Sequence, residues 1–222
     1  MTAIGVVTGL AAEAAVARRA GLAAEACGAD PDRAGDVARG FADAGVRALV
    51  SFGTAGGLDP ALEAGDVVLA CEVAAPGGPF AARPGWRDRL LRRLPRARPG
   101  IVAGIDAIAA TPAAKRALLD STGAAAADME SHRVAAVACE RGLAFLAVRA
   151  VADAADRALP AAAARAVRAD GRVSVHAGLA LLVRSPGTVP DLVRAGFAMR
   201  RALAALAPAA AALADEPWED TP

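Results

Sequence analysis

The sequence predicts an α/β fold, a central mostly parallel or mixed twisted sheet flanked by helices. Two observations predict it. From residue 3 to residue 153 short apolar runs alternate with stretches of helical spacing, each bounded by Gly, Pro or a capping residue. In addition, 222 residues with no linker good enough to divide them suit a single large domain. That domain is expected over residues 1–213, followed by a polar, disordered tail over 214–222, "ADEPWEDTP".

The elements follow in order. "AIGVVTG" is a β-branched run ending in Gly, and "LAAEAAVARRAG" behind it has helical spacing and a Gly stop. "PDRAGDVARGFADAG" reads as a second helix and "VRALVSFG" as a second, buried strand ending at Ser51–Phe52. "DVVLACEVA" is a third strand, "RPGWRDRLLRRLP" an amphipathic helix between prolines, and "GIVAGIDAIA" a strand with its exit loop. Thr111 is placed to cap the helix "TPAAKRALLDS", with Pro112 at its first position. "GAAAAD" (strand), "MESHRVAAVACERG" (helix) and "LAFLAVRAVAD" (strand) complete the alternation. Beyond Arg157 the chain is Ala-rich and helical, and its apolar run "VHAGLALLV" is too short to span a bilayer.

Composition narrows the function classes. A formal net charge of +1 argues against a nucleic-acid partner, which needs a concentrated basic face. Cys27, Cys71 and Cys139 are scattered without metal-ligand spacing, which suits a reducing compartment and gives no metal site. The amino terminus lacks a signal peptide's charged flank and cleavage site. The expected location is the cytoplasm, with peripheral contact at the inner face of the membrane as an option.

Three constellations could carry chemistry. In "SFGTAGGLDPALEAGDVVL", Gly53, Thr54, Gly56 and Gly57 follow a strand, where backbone N–H groups can hold an anion or a nucleophile. A tight turn without a ligand explains the same residues. "GVVTGLAAE" sets Gly9 and Glu13 at a helix start without a dinucleotide fingerprint, and a solvated helix residue accounts for Glu13 in isolation. In "DMESHRVAAVACERGLAFLAVRAVADAADR", Glu130 opens a helix while Arg149 and Asp153 share one side of a strand. Buried charges must be paired or used, so a structural ion pair between Arg149 and one of these acids is the plain alternative. His132 and His176 have no partner spacing and are expected as surface or packing residues.

Taken together, "IGVVTGLAAE", "FGTAGGLDPALEAGDVVL" and "ADMESHRVAAVACERGLAFLAVRAVAD" resemble the nucleoside phosphorylase and nucleosidase superfamily, in the family's order. The "DMESH" form, the "VRAVADAADRALP" extension and the Ala/Arg-rich tail are most similar to its hopanoid-associated branch, which releases adenine from adenosylhopane. The resemblance implies a nucleoside phosphorylase-like fold, no cofactor beyond phosphate as an optional co-substrate, and a homodimer or higher oligomer. It implies that Asp153 protonates purine N7, that Glu130 holds the ribose hydroxyls and that Met129 packs on the sugar. Thr54, with Gly53, would line the phosphate or water site, Glu13 would orient water beside Arg149, and Gly9 and Ile108 would complete the substrate pocket. The chain departs from bacterial purine phosphorylases at Ser51 and Glu13, where those enzymes carry arginines, and this favours water as nucleophile. A soluble methylthioadenosine/S-adenosylhomocysteine-type or futalosine-type nucleosidase, or a non-catalytic nucleoside-binding module, would share these features. The region after Asp156 is read either as an apolar, Arg-flanked rim for a lipid-like 5′ substituent or as an ordinary helical cover.

Overall fold

The computed structural model describes residues 3–159, Gly171, 189–216 and Trp218. In chain order the elements are β1 (Ile4–Thr8), α1 (Ala11–Arg19), β2 (Ala23–Ala26), α2 (Pro31–Asp43), β3 (Ala48–Gly57), β4 (Val67–Ala74) and β5 (Phe80–Ala81). They continue with α3 (Pro84–Arg93), β6 (Arg98–Gly104), α4 (Pro112–Thr122), β7 (Ala126–Asp128), α5 (Ser131–Glu140), β8 (Ala144–Asp153) and α6 (Val189–Asp215). Local chemistry explains the boundaries. Asp30 accepts hydrogen bonds from the Asp32 and Arg33 amides ahead of α2, and Thr111 accepts one from Ala114 N at 3.1 Å to start α4. Gly123 closes α4 with φ near +66°, a conformation glycine adopts without a Cβ penalty. The short strands β2 and β5 were not expected; at four and two residues they are too brief to show a period.

The sheet is mixed. β1 pairs in parallel with β2 and β3, and β3 continues in parallel to β8. β8 runs antiparallel to β4, β4 parallel to β6, β6 parallel to β7, and β7 antiparallel to β3. Strands β3, β7, β6, β4 and β8 therefore close on themselves, with β1 and β2 as a flange. Closure requires β3 to bend, and its register against β8 shifts between Ala55 and Gly56, setting Gly56 beside Asp153.

Alternation along β8 sorts its side chains into two cores. Leu146, Val148 and Ala150 pack on the side that also holds Val6, Phe52, Trp86 and Leu206, whereas Phe145, Ala147 and Val151 face Val134, Val137 and Leu49. Arg149 lies on the second side and is fully buried there.

The C-terminal half of α6 buries Ala202, Leu206, Ala209, Ala210 and Leu213 in the first core. Over Pro190–Asp215 this helix is long and apolar enough to cross a membrane, yet that buried stripe ties it to the domain. The helix runs one residue past the expected start of the tail at Ala214. Asp215 pairs with Arg93, Glu216 with Arg89 at 2.7 Å, and the Arg47 guanidinium sits 5.4 Å from the Trp218 ring centre. The expected rim falls largely on residues 160–170 and 172–188, and His176 with it; these lie outside the described residues.

Candidate active site

β1 delivers the chain to Gly9, and α1 begins two residues later, so Glu13 stands in its first turn facing the sheet. It is buried rather than solvated. Oε2 accepts the Leu10 amide at 2.8 Å, and Oε1 accepts both the amide and the hydroxyl of Thr54, at 2.8 and 2.7 Å. Burial pushes its carboxyl above the usual range, against the opposing pull of the Leu10 and Thr54 hydrogen bonds and of Arg149. The isolated reading of Glu13 as a surface residue is thus overturned, because its helix packs its first turn onto β3.

The Gly-rich segment is not a loop. β3 runs on through Gly53, Thr54 and Gly56 to Gly57, and the Thr54 amide serves Glu13. Glycine is required here by close approach. A Cβ at Gly53 would stand 2.6 Å from Glu13 Oε2 and 2.9 Å from Arg149 Nη1, and one at Gly9 would stand 2.7 Å from Glu130 Oε1. Two acids and a guanidinium thus meet over two bare stretches of backbone.

Arg149 is the hub. Its guanidinium pairs with Asp128 and, at 3.5 Å, with Glu130 Oε2. It donates to the hydroxyls of Ser51 and Ser131 and to the Thr54 carbonyl. Asp128 also receives the Glu130 and Ser131 amides and the Ser131 hydroxyl, which ties the entry of α5 to β7 and fixes where Glu130 stands. The guanidinium is held as a cation by Asp128, Glu130 and Glu13 in spite of burial. Glu130 goes the other way. Burial, with Asp128 and Glu13 close by, lifts its carboxyl to about 8 even though Arg149 opposes the shift. Three carboxyl groups share one guanidinium, and the lifted carboxyl of Glu130 is the one that keeps its proton near neutral pH.

Asp153 belongs to a separate polar group. The structural pair considered in the sequence, Arg149 with Asp153, is not the one formed. Arg149 turns to Asp128 and Glu130, while Asp153 pairs with Lys115 of α4. Asp153 ends β8 four residues beyond Arg149, roughly 13 Å along the strand, which sets its side chain past the Arg149 cluster. Its side chain retains 21% exposure, whereas that of Lys115 retains 1%.

The remaining expected residues are placed as follows. Met129 is half-buried between Asp128 and Glu130. Ile108, in the connection from β6 to α4, is an exposed apolar residue at 42%. His132 is not on the surface: it is buried, with Nε2 2.9 Å from Asp106, whose carboxyl it holds below the usual range. Sequence reasoning missed Asp128, Ser131 and Lys115 as site-forming residues. Lys115 left one signal, since it shares a helix face with Leu118 and Leu119, where an apolar side chain belongs. Among the described residues no group of His, Cys, Asp and Glu could hold a metal ion.

Comparison with known proteins bears on the family and the fold. The family described as the phosphorylase superfamily matches residues 31–185. No curated protein sequence matches the chain. Among solved structures, the 5′-methylthioadenosine/S-adenosylhomocysteine nucleosidase of Neisseria meningitidis, in complex with methylthio-immucillin-A, superposes with a TM-score of 0.71 at 16% identity, covering 96% of this chain and 99% of that one. The corresponding Helicobacter pylori nucleosidase gives 0.69 at 14%, with 95% of each chain covered. The futalosine hydrolase of the same organism gives 0.62 at 15%, covering 86% of this chain and 95% of that one. At such identities the likeness establishes the shared fold.

Proposed function

The chain belongs to the phosphorylase superfamily, enzymes that cleave N-glycosidic bonds, and from that premise we propose that it hydrolyses a 5′-substituted adenosine, releasing adenine. The observation that carries water as nucleophile is the charge balance of the buried cluster. Glu13, Asp128 and Glu130 surround a single guanidinium that already serves Asp128, Glu130, Ser51, Ser131 and Thr54. A phosphate dianion entering beside Glu13 would meet like charge in a poorly solvated place, with its natural partner committed elsewhere. A neutral water meets no such barrier and finds a carboxylate able to accept its proton.

The roles follow from the chemistry. As the C1′–N9 bond breaks, its electrons pass to the purine and Asp153 delivers a proton to N7, while positive charge develops on the ribose. Water oxygen forms the new bond to C1′, and its proton passes to Glu13, held against Thr54 and Gly53. Arg149 keeps Glu130 in place, and Glu130 addresses the ribose hydroxyls with Met129 against the sugar. Gly9 gives Glu130 the space it occupies, and Ile108 stands on the loop that would close over the base.

For the 5′ substituent we propose the hopane of adenosylhopane, on the sequence resemblance to the hopanoid-associated branch. A second reading, a soluble methylthioadenosine-type or futalosine-type nucleosidase, is favoured by the extent of chain shared with those structures. An anionic membrane surface is the proposed partner of the amino-terminal half of α6, where Val193 and Phe197 are exposed one turn apart among Arg194, Arg200 and Arg201. A homodimer or larger oligomer is part of the reading and is checked by light scattering. The deciding experiment presents adenosylhopane, methylthioadenosine, adenosylhomocysteine and futalosine to one preparation and measures release of the free base. Preference for adenosylhopane supports the first reading, preference for a soluble nucleoside the second, and release from none rejects both.

A further inference from the structure

The one residue of α4 that is fully buried is a lysine. An amphipathic helix ordinarily turns an apolar residue inward, and an ammonium gives up its hydration when buried. Lys115 therefore has to be accounted for. Its Nζ carries three hydrogens and has three acceptors: the Asp153 carboxylate, the Ala154 carbonyl at 2.8 Å and the Arg157 carbonyl at 3.0 Å. All three belong to the end of β8 and the turn after it. The helix that supplies the lysine is fixed by the Thr111 cap and by the left-handed Gly123 that ends it. One rigid element thus reaches across to hold the last residue of a strand and the backbone that follows.

We propose that Lys115 is the positioning residue for Asp153, fixing the orientation of its carboxyl group toward the leaving base. The ammonium engages Oδ2, which leaves Oδ1 as the oxygen that carries the proton for purine N7. The carbonyls of Ala154 and Arg157 hold the ammonium in turn, so the carboxylate cannot swing with the turn. The register shift between Ala55 and Gly56 brings Asp153 to this end of the sheet and leaves its side chain partly exposed, where an untethered carboxylate would rotate. Lys115 touches neither base nor sugar in this account and acts only through Asp153. The inference rests on the reading of Asp153 as the proton donor.

The test uses the full chain and the 5′-substituted adenosine on which it is most active. Lys115→Met keeps the length and apolar stem and removes the charge; Lys115→Gln keeps a hydrogen-bond donor without the charge; Lys115→Arg keeps the charge. Turnover is measured per folded molecule, with the folded fraction taken from a melting curve. Lys115→Met and Lys115→Gln are expected to lose ~10- to 100-fold in kcat with KM changed by less than about threefold, and Lys115→Arg to recover part of the loss. Added to Asp153→Asn, Lys115→Met should cost less than about threefold more, because the two act as a unit. A purely structural lysine would lower the melting temperature and leave kcat per folded molecule unchanged. If Lys115→Met or, where that variant does not fold, Lys115→Gln keeps wild-type kcat while Asp153→Asn is inactive, the positioning role is overturned and the role of Asp153 stands. If Asp153→Asn is itself active, the assignment of the proton donor fails first, and this inference with it.

Discussion

Replacing Asp153 by Asn preserves the size of the side chain and one oxygen for Lys115, and removes the proton it can give. We expect the variant to fold and to lose ~10²- to 10⁴-fold in kcat, roughly 3–5 kcal/mol of barrier, with adenine binding less affected; melting and base release on one preparation check this. Glu130 allows a prediction in pH. Its carboxyl lies at about 8 in the folded chain against an ordinary 4.5, so the folded state binds the extra proton between those values. Stability contributed by that proton is present at low pH and is lost as pH rises through 8, a loss on the order of a few kcal/mol. Glu13, shifted the same way, adds to the slope. Thermal melts of wild type should therefore drop from pH 5 to pH 8.5, and Glu130→Gln should flatten the curve; a wild-type melting temperature that rises over this range contradicts the assignment. At this scale, motif resemblance in the sequence brought Glu13, Glu130, Arg149 and Asp153 into view. It could not divide them into two groups, because the pairing of Arg149 on β8 with Asp128 on β7 is a long-range contact that no local pattern encodes.

Strand β3 shows what an element contributes. Its glycines look from sequence like a loop, since Gly is a poor strand former, yet they extend the strand, and at Gly53 Glu13 and Arg149 fill the space a side chain would take. Gly53→Ala should force those groups apart, costing about 1–3 kcal/mol of stability and at least ~10-fold in activity. Gly40→Ala in the middle of α2 is the control: a Cβ there meets nothing within 4 Å, so it should be neutral or stabilise by about 0.5–1 kcal/mol. Equal effects of the two substitutions on melting and base release would refute the packing argument. Elements with long periodic patterns or clear caps, such as α2, α4 and β8, were legible within a residue or two. β2 and β5 were not, because brief strands are set by the edge they join rather than by their own sequence.

For the whole molecule, residues 157–201 carry eight arginines against two acidic residues in a chain whose net charge is only +1. Within that stretch α6 exposes Val193 and Phe197, while its C-terminal half is locked in the core. The exposed half of α6, where Arg194, Arg200 and Arg201 flank Val193 and Phe197, is suited to an anionic bilayer face. Flotation with phosphatidylserine-containing vesicles should enrich the protein at low salt and lose it at high salt, and Phe197→Ser should weaken the enrichment; no enrichment at low salt contradicts the proposal. Alternation and composition gave the α/β class directly, whereas closure of β3, β7, β6, β4 and β8 into a ring depends on long-range pairings that a single sequence does not display. A cluster of three carboxyl groups around one guanidinium is proposed to exclude phosphate and admit water. This exclusion is tested most directly by following adenine release from 5′-substituted adenosines in phosphate-free buffer, with and without added phosphate. Turnover without phosphate, a free ribosyl product and no acceleration on phosphate addition are expected; an absolute requirement for phosphate, with a ribose 1-phosphate product, would contradict exclusion of phosphate.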